Sequence, residues 1–295
     1  MGSTSSKTPG HSSTSPNMTS FSLTHHLLSL YPEVYKKATQ APFLLVAAEG
    51  RLPKKTLGRW LANDRLYLHS YIRAAGKMIA ELDLPIAASE AEAPETQLVD
   101  WLIEALAGVT REDKLFLDVA RRYGLDIDLE VHHPVSDEVP SNDAMVINEA
   151  AKLPGLVMIE KMFGEVGKPA EVSVEGMKTP TILPWLEAAV LFFGTEKCYL
   201  DAWSWAKDWQ LVHDKEDQAR QDDDGGALRK EFIPNWSSDE FAGFVDKLGT
   251  IIDSAVAKML ERPGGEQLKD SLLKRVEGQW KSLLTAEAAF WPEVE

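Results

Sequence analysis

The 295-residue chain holds one cysteine, Cys198, and that scarcity removes several chemistries at once. No intramolecular disulfide can form, no zinc site can draw two thiolates from one chain, and a lone thiol fits a reducing, cytoplasmic setting. Histidines are also few, seven in all. Four of them form the doublets His25-His26 and His132-His133, and adjacent residues diverge by ~100° around a helix. No carboxylate–histidine helix motif of the di-iron type accompanies them, so no metal is expected. No apolar run approaches the ~20 residues of a membrane-spanning helix. Positive charge is short as well: 31 Lys and Arg against 46 Asp and Glu give a net charge of −15. A nucleic-acid or anionic-membrane partner needs the opposite balance.

What remains is rich in helical periodicity. Residues 1–20 are Ser/Thr/Gly/Pro-rich without an apolar stretch, which reads as a disordered tail rather than a signal peptide. From there to residue 295 the pattern predicts one all-α domain of roughly eight to ten helices. Ser22 or Thr24 caps the first. A long helix runs from about Lys54 to Leu84, and another from about Ala93 to Val109. Thr110 caps a shorter one that stops at Gly124. Residues 126–140 and 167–179 read as connectors, 141–151 and 154–166 as short helices. The stretch from Pro180 to Val212 is the most apolar and carries Trp185, Trp203, Trp205 and Trp209. Residues 214–230 read as a mobile acidic loop without the spacing of a calcium site. No β-hairpin pattern stands out.

One run concentrates polar residues within apolar spacing. In Gly50-Arg-Leu-Pro followed by Trp60-Leu-Ala-Asn-Asp64-Arg-Leu-Tyr67-Leu, Asp64 and Tyr67 are three residues apart and share a helix face. If that face turns inward, the helix buries a carboxylate and a phenol together. The plain alternative is an Asp64 paired with Arg59 or Arg73.

With Ala41-Pro42-Phe43 before it, this run resembles the start of the TenA/THI-4 family, whose pattern is approximately His-Pro-Phe-Val, Gly-Thr-Leu, then Phe-x-x-Tyr-Leu-x-Gln-Asp-Tyr-x-Tyr-Leu. Asp64 and Tyr67 fall on the acid and the second tyrosine; Ala41, Asn63 and Arg65 replace the histidine, the glutamine and the first tyrosine. Glu287-Ala-Ala-Phe290-Trp291 is similar to the family's Glu-x-x-Phe-Trp, with Trp280 seven residues earlier. Thr195-Glu196-Lys197-Cys198-Tyr199 resembles its Cys-x-x-x-Tyr, and Phe232 through Phe241 adds a weaker match. Three separated pieces occur in family order, as in a divergent, fungal-type member.

The resemblance implies a heme oxygenase-like helical bundle that need hold no heme or other cofactor, and assembly as a homo-oligomer, a dimer or tetramer. It implies thiaminase II-type chemistry, hydrolysis of a small aminopyrimidine in thiamin breakdown or salvage. Asp64 and Tyr67 would orient the substrate, with Tyr199 and Thr195 beside it, and Glu287 would move protons. The departures bear on the nucleophile: Thr195 stands where the family has its cysteine. Cys198, one turn along, could reach the same cavity, and Glu196 is similar to a glutamate used by a cysteine-free subgroup. Phe116 takes the place of a histidine and Arg229 that of a pocket tyrosine. Two other classes stay open: a non-catalytic small-molecule binder or metabolic regulator that has lost the nucleophile, and an oxidoreductase of the quinone-cofactor-synthesis branch of the fold.

Overall fold

The computed structural model describes residues 21–132, 146–167, 183, 185–213 and 221–294. The Ser/Thr-rich tail 1–20, most of the two connectors, residues 141–145 and residues 214–220 of the acidic loop lie outside them. Helix starts follow local chemistry. Helix α1 (Leu23–Ser29) is capped by Ser22, whose Oγ accepts the His25 N–H. Helices α2 (Pro32–Thr39), α3 (Pro42–Ala48), α5 (Pro94–Tyr123) and α6 (Pro154–Glu165) each open on a proline. Proline suits the first turn because its missing N–H has no intrahelical partner there. Helix α4 spans Lys54–Glu81, α7 Leu186–His213, α9 Asp239–Leu260 and α10 Gly265–Ala288. The short α8 (Ile233–Trp236) follows a π-helical turn over Leu228–Phe232.

Helix α7 is the axis of the bundle, packed against α2, α3, α8, α9 and α10. The run 189–195 is wholly buried for that reason, while Lys207, Asp208, Leu211, Val212 and His213 near the C-terminal end of the helix are exposed. Helix α4 packs on α5 and α6, and α10 touches α2, α6, α7 and α9. The cavity described below opens among α4, α5, α7 and α8–α9.

Three expectations require correction. Thr110 caps nothing: its hydroxyl donates to the Leu106 carbonyl inside one continuous α5 that runs to Gly124, where a positive φ of 64° ends it. Between 141 and 151 the described residues form no α-helix. Val146–Ile147 pairs antiparallel with Val131–His132, and a 3-10 turn follows at Glu149–Ala151. Finally, part of the acidic loop has fixed structure. Buried Asp224 accepts the Gly226 and Leu228 N–H groups, and Asp222 accepts from Arg229. Asp224 thereby organises the entry to the π-helical turn, pairing backbone donors that would otherwise be buried alone.

One close approach fixes the C-terminal end of α10. A Cβ on Gly155 would lie 2.3 Å from both the Ala286 carbonyl oxygen and the Phe290 nitrogen. The Gly155 N–H instead donates to the Ala289 carbonyl at 3.1 Å. Gly155→Ala should therefore push α6 off the turn that carries Glu287 and destabilise by roughly 1–3 kcal/mol, the cost of overpacking. A thermal melt reads this as a fall of several degrees, and an unchanged midpoint would refute the tight packing.

Candidate functional site

Asp64 and Tyr67 both face inward from α4 and line a cavity of about 430 Å³, within the range typical of small-molecule sites. Neither Arg59 nor Arg73 pairs with Asp64; Arg59 is exposed, and Arg73 donates to Ser70. Asp64 is 1% exposed, and its Oδ1 accepts the Tyr199 hydroxyl at 2.6 Å. Its Oδ2 has no partner. A buried carboxylate oxygen without a donor is costly, so an unpaired one on a cavity wall is a standing acceptor for a ligand. Asn63, one residue earlier, turns the other way: its Oδ1 accepts the Leu153 N–H at 2.8 Å and so ties α6 to α4.

Tyr67 donates to Glu287 Oε1 at 3.1 Å, which joins α4 to the end of α10. Glu287 is 1% exposed and its Oε2 is also unpaired, but it does not itself line the cavity and meets it only through Tyr67. Behind it the Phe290 ring lies 5.4 Å from that of Tyr67. The Trp291 indole donates to the Ala38 carbonyl at 2.7 Å, anchoring the chain beyond α10. Burial pushes Glu287 up to about 8, with Glu196 adding repulsion and the Tyr67 hydrogen bond opposing it. Glu196 also rises to about 8, chiefly by burial. Asp64 is raised well above the carboxylate range by burial and by the charge of Glu112. Carboxyls in such surroundings hold their protons near neutral pH.

Helix α7 presents Thr195, Glu196 and Tyr199 to the cavity. Thr195 donates its hydroxyl to the Phe192 carbonyl at 2.8 Å, within its own helix. Cys198 does not line the cavity. It is 1% exposed on the flank of α7 that neighbours Tyr35, and burial followed by the Glu287 charge drives its thiol up. A protonated, inaccessible thiol is a packing group rather than a nucleophile. Arg229, too, is off the cavity wall and bonds Asp222, while Phe116 sits in the core between Phe232 and Trp236. His26 pairs with Glu277 on α10, and Trp203 packs against Trp236 beneath the cavity.

Sequence reasoning passed over Glu112, Tyr71 and Trp236, which all line the cavity. Glu112 accepts the Trp236 indole N–H, and burial lifts it to about 7 while that hydrogen bond holds it down. The signal was present in the pattern. Trp101, Ala105, Val109, Glu112, Phe116 and Val119 fall at successive steps of three or four along α5, so the glutamate occupies an apolar stripe. In the sequence it stands only as the acid four residues before Phe116, with no site role assigned.

No protein-family model matches the chain. Among solved structures it is similar to the TenA homologue protein from P. horikoshii OT3, with a TM-score of 0.58 and 15% identity over 92% of this chain and 97% of that one. A TenA family transcription regulator from Silicibacter sp. TM1040 gives a TM-score of 0.59 and 12% identity, covering 91% and 94%. A TenA homolog from Pseudomonas syringae pv. tomato str. DC3000 gives 0.56 and 8%, covering 90% and 91%. A curated relative, a "probable transcription factor" of Fusarium pseudograminearum (strain CS3096), is 24% identical over 259 residues, 88% of this chain and 50% of that protein. The chain thus spans about half the length of the curated relative it matches. The architecture is the all-α, TenA-like bundle. Among the described residues no helix is long and apolar enough to cross a membrane.

Proposed function

We propose that this chain, built on the fold shared by TenA-type proteins, is a cytosolic, oligomeric hydrolase that releases an amine from a small aminopyrimidine-like substrate without metal or cofactor. The observation that carries this reading is the unpaired Asp64 Oδ2 on the cavity wall, with the Tyr67–Glu287 pair beside it. A carboxyl group offers one oxygen to an amino N–H and the other to the adjacent ring nitrogen, a two-point grip on an aminopyrimidine edge. Tyr199 fixes Asp64 for that task, and Tyr67 holds Glu287.

Hydrolysis then needs one water and two proton transfers. Glu196 takes a proton from the water, whose oxygen bonds to the carbon bearing the amine. The carbon–nitrogen bond breaks, and the Tyr67 hydroxyl gives its proton to the departing nitrogen and takes one back from Glu287, so that alcohol and amine are the products. Two carboxyls with elevated pKa values suit these roles, because general acids work best when they titrate near the working pH. Their mutual repulsion favours one charge on the pair rather than two.

The test incubates the protein with thiamin, its aminomethylpyrimidine breakdown product and formylated analogues, and measures ammonia and free hydroxymethylpyrimidine. Turnover should survive Cys198→Ala within about twofold and fall at least ~100-fold in Glu287→Gln. Turnover that requires Cys198 would overturn the water mechanism.

A second reading has a specific observation behind it: no thiol lines the cavity, and the Thr195 hydroxyl is committed to its own helix. On that reading the bundle is a ligand sensor without catalysis, in keeping with the regulator names carried by the Fusarium and Silicibacter proteins. It would act through ligand-dependent contacts, since an acidic surface is poorly suited to grip nucleic acid. Micromolar binding without turnover selects this reading.

A further inference from the structure

One polar side chain of the cavity wall has no part in the grip on the ring or in either proton transfer. Tyr71 is 2% exposed and lines the cavity, and its buried hydroxyl has no hydrogen-bond partner. A core phenol usually finds a partner for its O–H, and leaving the bond unmade costs the desolvation of the group. Tyr71 follows Asp64 by seven residues and Tyr67 by four, so all three share the inward face of α4. Helix α7 runs antiparallel to that face. The Tyr199 hydroxyl meets Asp64, and Phe192, seven residues earlier, meets the Tyr71 ring edge-on at 4.7 Å. Phe163 holds the same ring edge-on at 5.7 Å. Half-buried Glu196 lies between Phe192 and Tyr199 along α7 and lines the same wall. Tyr71 and Glu196 are close enough for each to shift the other, but no hydrogen bond of ordinary length and angle joins them.

We propose that Tyr71 is a further catalytic residue, whose hydroxyl seats the attacking water against Glu196. The proposal rests on the hydrolase reading and adds a contact which that reading does not contain. About 10 Å of helix separates Tyr71 from Asp64, room for a clamped ring to hold its reacting carbon before the water. The Tyr71 O–H donates to the water oxygen, and Glu196 accepts one of the water's protons. With those two directions fixed, the other lone pair of the water faces the carbon. As the carbon–oxygen bond forms, the water proton passes to Glu196. The carbon–nitrogen bond breaks, and the nitrogen takes its proton from Tyr67, which Glu287 reloads. Tyr71 keeps its own proton throughout. Burial, then the charge of Glu196, raises it well above the ordinary phenol range, which suits a hydrogen-bond donor that neither gains nor loses a proton. The same donor favours the ionised, proton-accepting form of Glu196. A water held in this way spares the entropy of orienting it at the moment of reaction.

Tyr71→Phe tests this, because it removes one oxygen and keeps the ring that packs against Phe163 and Phe192. Steady-state kinetics on aminomethylpyrimidine should show kcat at least ~10-fold lower, with KM and the calorimetric Kd within twofold of wild type. The melting temperature should be unchanged or higher, since the variant buries no unpaired hydroxyl. If Tyr71 serves only to pack, the variant keeps wild-type kcat, which overturns the proposal and leaves the hydrolase reading in place. A raised KM with kcat unchanged overturns it too, because the hydroxyl would then bind the substrate and not the water. Absence of turnover by wild type removes the hydrolase reading and this one together.

Discussion

Asp64→Asn should weaken binding of an aminopyrimidine-type ligand by about 10- to 100-fold, the value of a charge-assisted hydrogen bond in a shielded site. Asparagine keeps the size of the side chain and an oxygen for the Tyr199 hydroxyl, which now reaches Asp64 Oδ1 at 2.6 Å. It therefore spares the α4–α7 contact. What it lacks is the second oxygen, now unpaired, and the ability to carry the negative charge. Calorimetry on the variant measures the loss, and its melting temperature should stay within a few degrees of wild type. Unchanged affinity in a folded variant would remove Asp64 from the site. Turnover, where present, should fall by at least the same factor, because a slack grip misplaces the reacting carbon.

The second large effect is on stability and follows from burial of acids without cations. Glu287 titrates near 8 in the folded protein against an ordinary 4.5, so between those values the folded state binds more protons than the unfolded one. The stability it contributes is complete below about 4.5 and is lost as pH rises through about 8. At about 1.4 kcal/mol per unit, this one group is worth a few kcal/mol across the window. Glu112 and Glu196 act in the same direction. Ligand-free protein should thus unfold at a lower urea concentration at pH 8 than at pH 5.5. Glu287→Gln, neutral throughout, should flatten the dependence and be the more stable form at pH 8. A stability that is flat or rises over this range would contradict the buried, unpaired state of the cluster. A cationic ligand should raise the midpoint more at pH 8 than at pH 5.5, because it offsets the charge that destabilises the empty cavity.

The two experiments separate recognition from the proton reservoir. Asp64→Asn acts on a group whose second oxygen awaits a ligand, whereas Glu287→Gln acts on one whose cost is paid in the empty protein. A binder without catalysis would show both effects and no turnover.

Packing decided that the Asp64–Tyr67 face turns inward and that Glu287 meets it. The amino-acid sequence by itself determined the helical class and the common face of Asp64 and Tyr67 on α4. These are local matters: a spacing of three or four residues places side chains on one helix face whatever packs against it. It did not determine that α5 is continuous through Thr110, since a threonine that could cap a helix serves equally well inside one. Nor could it assign the faces of α7, whose charged and apolar residues are mixed around the helix with no clear stripe to orient it. Thr195 and Cys198 stand three residues apart on that helix, yet only the neighbours decide that Thr195 lines the cavity while Cys198 turns toward Tyr35. The tertiary structure likewise brought acids from α4, α5 and α7 into one cavity and tied Glu287 of α10 to the cavity-lining Tyr67. Periodicity records which side of a helix is buried, and only packing records what that side is buried against.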